Sequence, residues 1–473
     1  MTCSRRKPDR RLARLAAALA GAAALWTAGA LAGTAPARAA DRPLSLKAPP
    51  PADDEPLLED ETRAAEPDAA APRGAPPLTR GPVLGGYVDF GFFVPSGNGA
   101  GWIQDSGPMR YFPAEANRYA WVFLGDILAP AVNSRGEPAD LGNAPGVQRY
   151  DSVASHGALG FIVNEVNLTA NAAVGSSVLG TASVNFTPRS GSNFSLGDTF
   201  DVDLAQIEWI PDDAQKTSIF VGKFESVLGI EYRERKAAQR FGITPSLLAR
   251  YTTGTPLGLK VRRKFGPSDF LIVAAALTNG SSVTESFHFY DEVDSNDGKT
   301  GSARVAIRPL PWDIELGASG LYGPQDRALD SRNFMWFYGF DLLAHFGAVD
   351  LKGQFLKGHA PGETDRKYDE AHRPYGLDLK SGAYLETDAM VTPYLGFLLR
   401  AEYRDARVWL GNPDAPGGAD RLYLTKSWRA TVGARVVFSD RLLAKAEYLR
   451  NGEYGGVPDI RNDVFTTSLI WAY

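Results

Sequence analysis

The stretch SWRATVGARVVF, residues 427–438, alternates strictly. Trp428, Ala430, Val432, Ala434, Val436 and Phe438 fall on one side of an extended chain, while Ser427, Arg429, Thr431, Gly433, Arg435 and Val437 fall on the other. The next run, RLLAKAEYLR, begins right after Ser439-Asp440, a tight-turn length, and sets Leu442, Ala444, Ala446 and Tyr448 against Lys445 and Glu447. YLGFLLRAEYR opposes Leu395, Phe397, Leu399, Ala401 and Tyr403 to Gly396, Arg400, Glu402 and Arg404, and DIELGASGLY repeats the pattern. This period of two runs from Gly81 to the end, and helical periodicity of 3.6 is nearly absent. Such a chain is confined to antiparallel sheet. The remaining question is what medium the apolar face meets.

The aromatic residues answer it. Trp209, Phe265, Trp312, Trp336, Phe346, Tyr403, Phe438, Trp471 and Tyr473 recur at the ends of the apolar faces, where a bilayer interface holds amphipathic rings. The opposite face carries charges of both signs along its middle, as a wet interior requires. Short connections (about 173–176, 211–215, 266–268, 310–312, 347–348, 391–393 and 439–440) alternate with long polar ones (about 188–198, 225–254, 278–299, 323–333, 359–380, 405–426 and 452–462). Short periplasmic turns and long external loops are the habit of outer-membrane barrels. The expected fold class is therefore all-β: a transmembrane antiparallel β-barrel of about 16 strands spanning residues 82–473. RYAWVFLGD (118–126) reads as a strand but breaks the parity, so it is assigned to a long first loop, folded into the lumen.

The N-terminal part is a different polymer. Residues 1–39 read as a signal peptide: a basic segment, an apolar stretch from Leu15 to about Leu31, and an Ala37-Arg38-Ala39 cleavage site. Residues 40–81 carry nine prolines among alanines and acids, a composition that reads as a disordered periplasmic linker. The sole cysteine, Cys3, precedes the apolar stretch, so the processed chain has no thiol for a disulfide or a metal.

GGYVDFGFF at the start of the barrel, SIFVGKFESVLGIEYRERKAAQRFGITPSLLARYTTGTPLGLKV in its middle and the alternating aromatic terminus together resemble the Gram-negative outer-membrane β-barrel porins, in particular the OmpL-like porins. The resemblance covers about residues 82–473. It implies a water-filled channel for passive diffusion of small hydrophilic solutes, in outer-membrane lipid and lipopolysaccharide, with a homotrimer among the expected assemblies. Leu469, Trp471 and Tyr473 resemble the recognition signal of the barrel-insertion machinery. The alternative is a plugged barrel that acts through its external loops as an adhesion or partner-binding protein.

About 16 strands enclose more space than wall side chains fill. The pore-lining candidates are basic on the later wall: Lys260, Arg262 and Lys264, Arg304 and Arg308, Arg400 and Arg404, Arg429 and Arg435. On the early wall they are acidic: Asp89, Glu165, Asp201, Asp203 and Glu208. Two readings stand open, a transverse field across the lumen or charges that pair and solvate the wall. The segment 225–254 is the constriction candidate, with Arg233, Arg235, Lys236, Arg240 and Arg250 against three glutamates, and IEYRERKAAQRFG is expected as a short helix. An external lid, or a loop packed on a neighbouring protomer, fits the same residues. Seven basic residues and one acidic leave with 1–39, and five basic with nine acidic lie in 40–81, so the formal −5 of the chain becomes −7 for the barrel. That total does not fix ion preference.

No catalytic residues are assigned. The five histidines lack a serine motif, and the enzyme reading is set aside. The acidic loop YDEVDSNDGKTG places Val293 and Arg304 where an EF-hand needs its first and twelfth ligands, so Asp291, Glu292, Asp294 and Asp297 read as a solvated loop rather than a metal site. Nothing implies a cofactor, and no basic–aromatic platform for nucleic acid occurs.

Overall fold

The computed structural model describes residues 82–95, 102–104, 121–123, 159–186, 200–212, 214–280, 294, 296–309, 311–326, 332–362, 374, 376–412, 421–454 and 463–473. The signal segment 1–39 and the linker 40–81 lie outside the described residues. So do most of 95–157 and Asp291, Glu292 and Val293 of the acidic loop.

The strands in chain order are β1 (Val83–Pro95), β2 (Trp102–Gln104), β3 (Trp121–Phe123), β4 (Gly160–Val174), β5 (Val178–Phe186), β6 (Phe200–Trp209), β7 (Thr217–Lys223), β8 (Leu257–Phe265) and β9 (Leu271–Thr278). They continue as β10 (Thr300–Ile307), β11 (Ile314–Pro324), β12 (Phe334–Phe346), β13 (Val349–Ala360), β14 (Gly376–Thr392), β15 (Leu395–Leu410), β16 (Arg421–Ser439), β17 (Leu442–Glu453) and β18 (Val464–Ala472). Leaving out the two short pieces β2 and β3, 16 strands pair antiparallel with their chain neighbours. β18 returns to β1 with Tyr87 opposite Ala472, which closes the ring. Closure removes both sheet edges and pairs the backbone within the wall, the condition for a strand structure in lipid.

Burial follows the sequence alternation. In β8 Leu257, Leu259, Val261, Arg263 and Phe265 are exposed on the outside, while Lys260, Arg262 and Lys264 are buried on the inside. Val261, Val305, Phe340, Leu399 and Val432 belong to an exposed apolar band. Exposed rings border it at both ends: Trp209, Phe265, Trp312, Phe346, Phe438 and Trp471 toward the short turns, and Tyr322, Phe334, Tyr338, Tyr403 and Phe465 toward the long connections. The apolar surface is the outside of the molecule and the polar surface its inside, the inverse of a soluble sandwich. The chain is a transmembrane barrel.

Two local departures matter. Strict alternation along β6 cannot turn both Asp203 and Glu208 inward. The register shifts between Ser183 and Val184, so Asp203 and Leu204 are successively buried and both carboxylates face in. Within 118–126, Trp121 and Val122 pair in parallel with Tyr423 and Leu424, on the stretch of β16 that extends beyond its pairing with β17. That piece therefore lines the outer edge of the wall rather than entering the lumen, because an unpaired strand edge offers it hydrogen bonds.

Candidate functional site

The site is the segment between β7 and β8. Its two ends stay joined for a further step, Phe224 N–H donating to Pro256 O and Ser226 N–H to Gly254 O, each at 3.1 Å. Beyond this the chain crosses inside the ring and touches wall strands all round it. Gly229 N–H donates to Ser319 Oγ of β11 and Ile230 N–H to Gln354 Oε1 of β13, both at 2.9 Å. Gly229 has φ +75°, and a Cβ there would lie 2.3 Å from Gln354 Oε1, so this entry turn requires glycine.

The next residues cross to the early wall. Arg233 binds Glu315 of β11 at 2.9 Å, and Glu234 takes a hydrogen bond from Lys352 of β13 at 2.7 Å. Arg235 grips Asp203 of β6 with both terminal nitrogens, one at 2.9 Å. Lys236 reaches Thr169 Oγ1 of β4 at 3.4 Å, and Ala237 N–H donates to Tyr87 Oη of β1 at 3.2 Å. Tyr87 is itself held by Glu165 at 2.9 Å.

The chain then runs along the later wall. Lys445 of β17 donates to three carbonyls of the segment, Ala237 O (2.7 Å), Arg240 O (2.5 Å) and Gly242 O (2.9 Å). Its neighbour on the same face, Glu447, accepts from Ile243 N–H (2.6 Å), Thr244 N–H (3.0 Å) and Thr244 Oγ1 (2.8 Å). Arg400 of β15 donates to Thr244 O at 2.9 Å, and Glu402 accepts from Leu247 N–H at 2.5 Å.

These contacts overturn the expected helix over IEYRERKAAQRFG. Glu231–Glu234 forms one turn of the 3-10 type, Lys236–Arg240 a second closed by Arg240 N–H to Lys236 O at 3.1 Å, and the rest is a series of bends. Helix hydrogen bonds and wall hydrogen bonds compete for the same carbonyls and N–H groups, and Lys445 and Glu447 take them. A single helical turn, α1 (Ala249–Thr252), follows before the return to β8.

An apolar contact seats the segment. Leu228, Leu248 and Tyr251 pack on Met335, Phe337, Leu356 and Leu379, inward residues of β12–β14, and the Tyr251 ring stacks on Phe337 at 5.8 Å. Each fully buried leucine of this kind contributes about 1.5–3 kcal/mol. Sequence reasoning missed this patch. Its signal was a lumen face that turns apolar where a wet wall should stay polar.

The pore-lining candidates separate into distinct surroundings. Lys260, Arg262, Arg304, Arg400, Arg404, Arg429, Arg435, Asp89, Glu165, Asp203 and Glu208 are all buried, and Arg308 is partly so. Asp201 lies in β6, its side chain outside the described residues. Arg235, Arg240 and Arg250 are buried and Lys236 half-buried. The charges are less segregated than the sequence reading had them: Glu315, Asp341, Glu386, Asp388, Glu402 and Glu447 all face in from the later wall. Glu315 alone meets Arg233, Arg304 (2.6 Å) and Arg308 (3.0 Å), while Arg304 also holds Asp341. Lys352 binds Asp388 at 2.8 Å and Glu386 at 3.4 Å. Such buried pairs fix geometry more than they stabilise.

Two small recesses remain beside the segment, with Arg233 in the wall of both. One is bordered by Glu231, Glu234, Lys352, Tyr384 and Arg400; the other by Tyr232, Lys260, Arg262 and Ala274. Glu231 accepts from Ser246 N–H (2.7 Å) and Oγ (2.6 Å), yet burial pushes its carboxyl up to about 7 against those bonds and the nearby Arg400 and Arg240.

A closed 16-strand wall with a charged inside, narrowed by one inward segment, is what a diffusion pore needs. The chain folds as a porin-like barrel. No family model matches the sequence, and no curated protein matches it. Among solved structures it is similar to the outer-membrane channel DcaP of Acinetobacter baumannii (12% identity, 83% of this chain and 97% of that one, TM-score 0.49). It is also similar to Salmonella typhi OmpF in complex with daunomycin (9%, 83% and 97%, 0.49) and to trimeric OmpT of Vibrio cholerae (11%, 83% and 99%, 0.43). At these identities nothing about solute passes from those proteins to this one.

Proposed function

We propose that this protein is an outer-membrane channel through which small hydrophilic solutes diffuse passively. The observation that supports the reading is the closed 16-strand wall, with charged side chains on its inner face and the 225–254 segment set within it. In this reading Arg233, Arg235, Lys236, Arg240 and Arg250 carry the constriction, and the inward charges of the wall shape the field that a solute meets. Residues 1–39 direct secretion, with cleavage before Ala40, and residues 40–81 serve as a periplasmic linker. It sits in outer-membrane lipid and lipopolysaccharide, is inserted by way of Leu469, Trp471 and Tyr473, and assembles as a homotrimer. It performs no catalytic step.

The second reading, a plugged barrel working through its external loops, draws on the extent of inner wall that the segment covers. Single-channel recording separates the two. Refolded, heat-modifiable protein in a planar bilayer gives stable conductance steps if it is a channel. A correctly folded barrel that stays silent would refute the channel and favour the scaffold.

A further inference from the structure

The outer face of β12–β16 changes character at the long-connection end. Trp336, His359, Asp378 and Arg407 stand side by side on β12, β13, β14 and β15. In the adjacent row Tyr338 is opposite Lys357, and Asp405 is opposite Lys426. Their chain neighbours Phe337, Leu356, Leu377 and Ala406 are buried in the inner apolar patch, so these residues face outward. Between Leu379 and Ser381 the register slips, and the extra residue, Lys380, is exposed on the outer face. Phe340 of the apolar band shares a row with Tyr403 of the ring border, so rows climb outward from β12 to β15. A row that starts at Tyr338 in the border therefore ends beyond it.

Lys357, Lys380, Arg407 and Lys426 bring four cations to this face, against the carboxylates Asp378 and Asp405. Among the described residues none of the four is ion-paired. The Arg407 guanidinium lies 5.3 Å from the Trp409 ring centre, a contact that fixes its position without cancelling its charge. Trp409 lies over Gly376, where a Cβ would come within 2.1 Å of its ring, and it meets the His359 ring at 6.1 Å. His359 meets Trp336 at 6.3 Å, and Trp336 stacks on Tyr338 at 5.8 Å with 14° between the planes. The rings form one continuous course beside the cations.

The arc formed by β18, β1, β4 and β5 is different at the same end. Its exposed outward residues there are the rings Phe465, Phe161 and Phe186, and Phe92 bridges Phe161 and Phe465 at 6.4 and 6.0 Å. Wetting of the rim alone gives no reason for cations to gather on one arc. Just outside an apolar band they meet the negative charge of lipid headgroups. A lysine stem covers apolar surface while its ammonium reaches up to that layer. An arginine fork matches the oxygens of a phosphate. Exposed rings with one apolar face offer a flat seat to the C–H side of a sugar.

We propose that this face of β12–β16 docks a phosphorylated sugar headgroup of the outer leaflet, with its phosphates on Lys357, Lys380, Arg407 and Lys426 and its sugar on Trp336 and Tyr338. This rests on the outer-membrane placement given above and not on conduction. It fixes one arc of the barrel as the place where glycolipid is held, and leaves the ring-lined arc at β18–β5 to apolar contact.

The test is binding of lipid A, a bisphosphorylated and acylated glucosamine disaccharide, to the refolded protein in zwitterionic micelles. The wild type is expected to bind it, less tightly as salt rises. Dephosphorylated lipid A and phosphatidylglycerol are each expected to bind at least about tenfold more weakly. K357Q/K380Q/R407Q/K426Q is expected to lose on the order of a hundredfold in affinity. K216Q/R263Q, at the short-turn rim, is expected to keep wild-type affinity. Heat modifiability establishes that each variant has folded. On the wild type alone, equal affinity for lipid A with and without its phosphates overturns the proposal, as does phosphatidylglycerol bound as tightly as lipid A. Unchanged affinity in the folded quadruple variant overturns it as well. Conductance steps from a protein that does not bind lipid A sink this site and leave the channel standing; phosphate-dependent binding by a silent barrel does the reverse.

Discussion

Lys445 offers the most direct handle on the inward segment. Its side chain donates to three carbonyls, Ala237 O, Arg240 O and Gly242 O, at 2.5–2.9 Å. Three acceptors require three N–H bonds, so the geometry calls for the ammonium form. A hydrogen bond to a charged group contributes about 1.5–3 kcal/mol net, and a buried carbonyl left without a partner costs about 1–3 kcal/mol. Lys445→Met keeps most of the side-chain volume and removes all three donors. Bends that can relax toward solvent recover part of the loss, so the segment is expected to lose on the order of 3–5 kcal/mol of its docking free energy. That corresponds to a rise of roughly a hundred- to a few-thousand-fold in the undocked population. Trypsin reads it: Arg233, Arg235, Lys236 and Arg240 lie in the segment, and their cleavage in the folded barrel should accelerate by about that factor. Strand content should stay intact, because β17 keeps its ladder to β16 and β18. Single-channel currents should become larger and noisier. Wild-type cleavage rate together with wild-type conductance in folded Lys445→Met would refute the argument that the wall holds the segment through its backbone.

Other outcomes follow from the same geometry. Glu231, with its carboxyl pushed to about 7 from an ordinary 4.5, is favoured in its neutral form by the fold. Its contribution to stability is thus fully present below about pH 4.5 and is lost as pH rises through 7, and channel current should titrate with a midpoint near 7 that Glu231→Gln abolishes. On the outer face, Val305→Arg places a charge in the apolar band and should cost about 2–4 kcal/mol in vesicle refolding by urea titration, whereas Ser302→Arg, inward on the same strand, should cost under about 1 kcal/mol. Tyr473 ties the closing strand through N–H to Gly86 O (3.1 Å) and Oη to Asn167 O (3.2 Å). Tyr473→Ala should retain the first bond, lose the second, and slow the appearance of the heat-modifiable form in gel-shift kinetics.

What the sequence alone determined is the wall. Alternation is a local property: a side-chain period of two, charges on one face and rings at its ends are enough to place Lys260 inward and Val261 outward without any knowledge of neighbours. Turn lengths, also local, gave the parity and hence the strand count. Tertiary structure decided everything that depends on which residues meet across the lumen. The register shift at Ser183/Val184 turns Asp203 inward toward Arg235, and no single-strand pattern announces it. The stretch IEYRERKAAQRFG within 225–254 reads as a short helix because helix propensity counts only bonds within the segment. Lys445 and Glu447 lie some two hundred residues downstream, and they bind its backbone from outside.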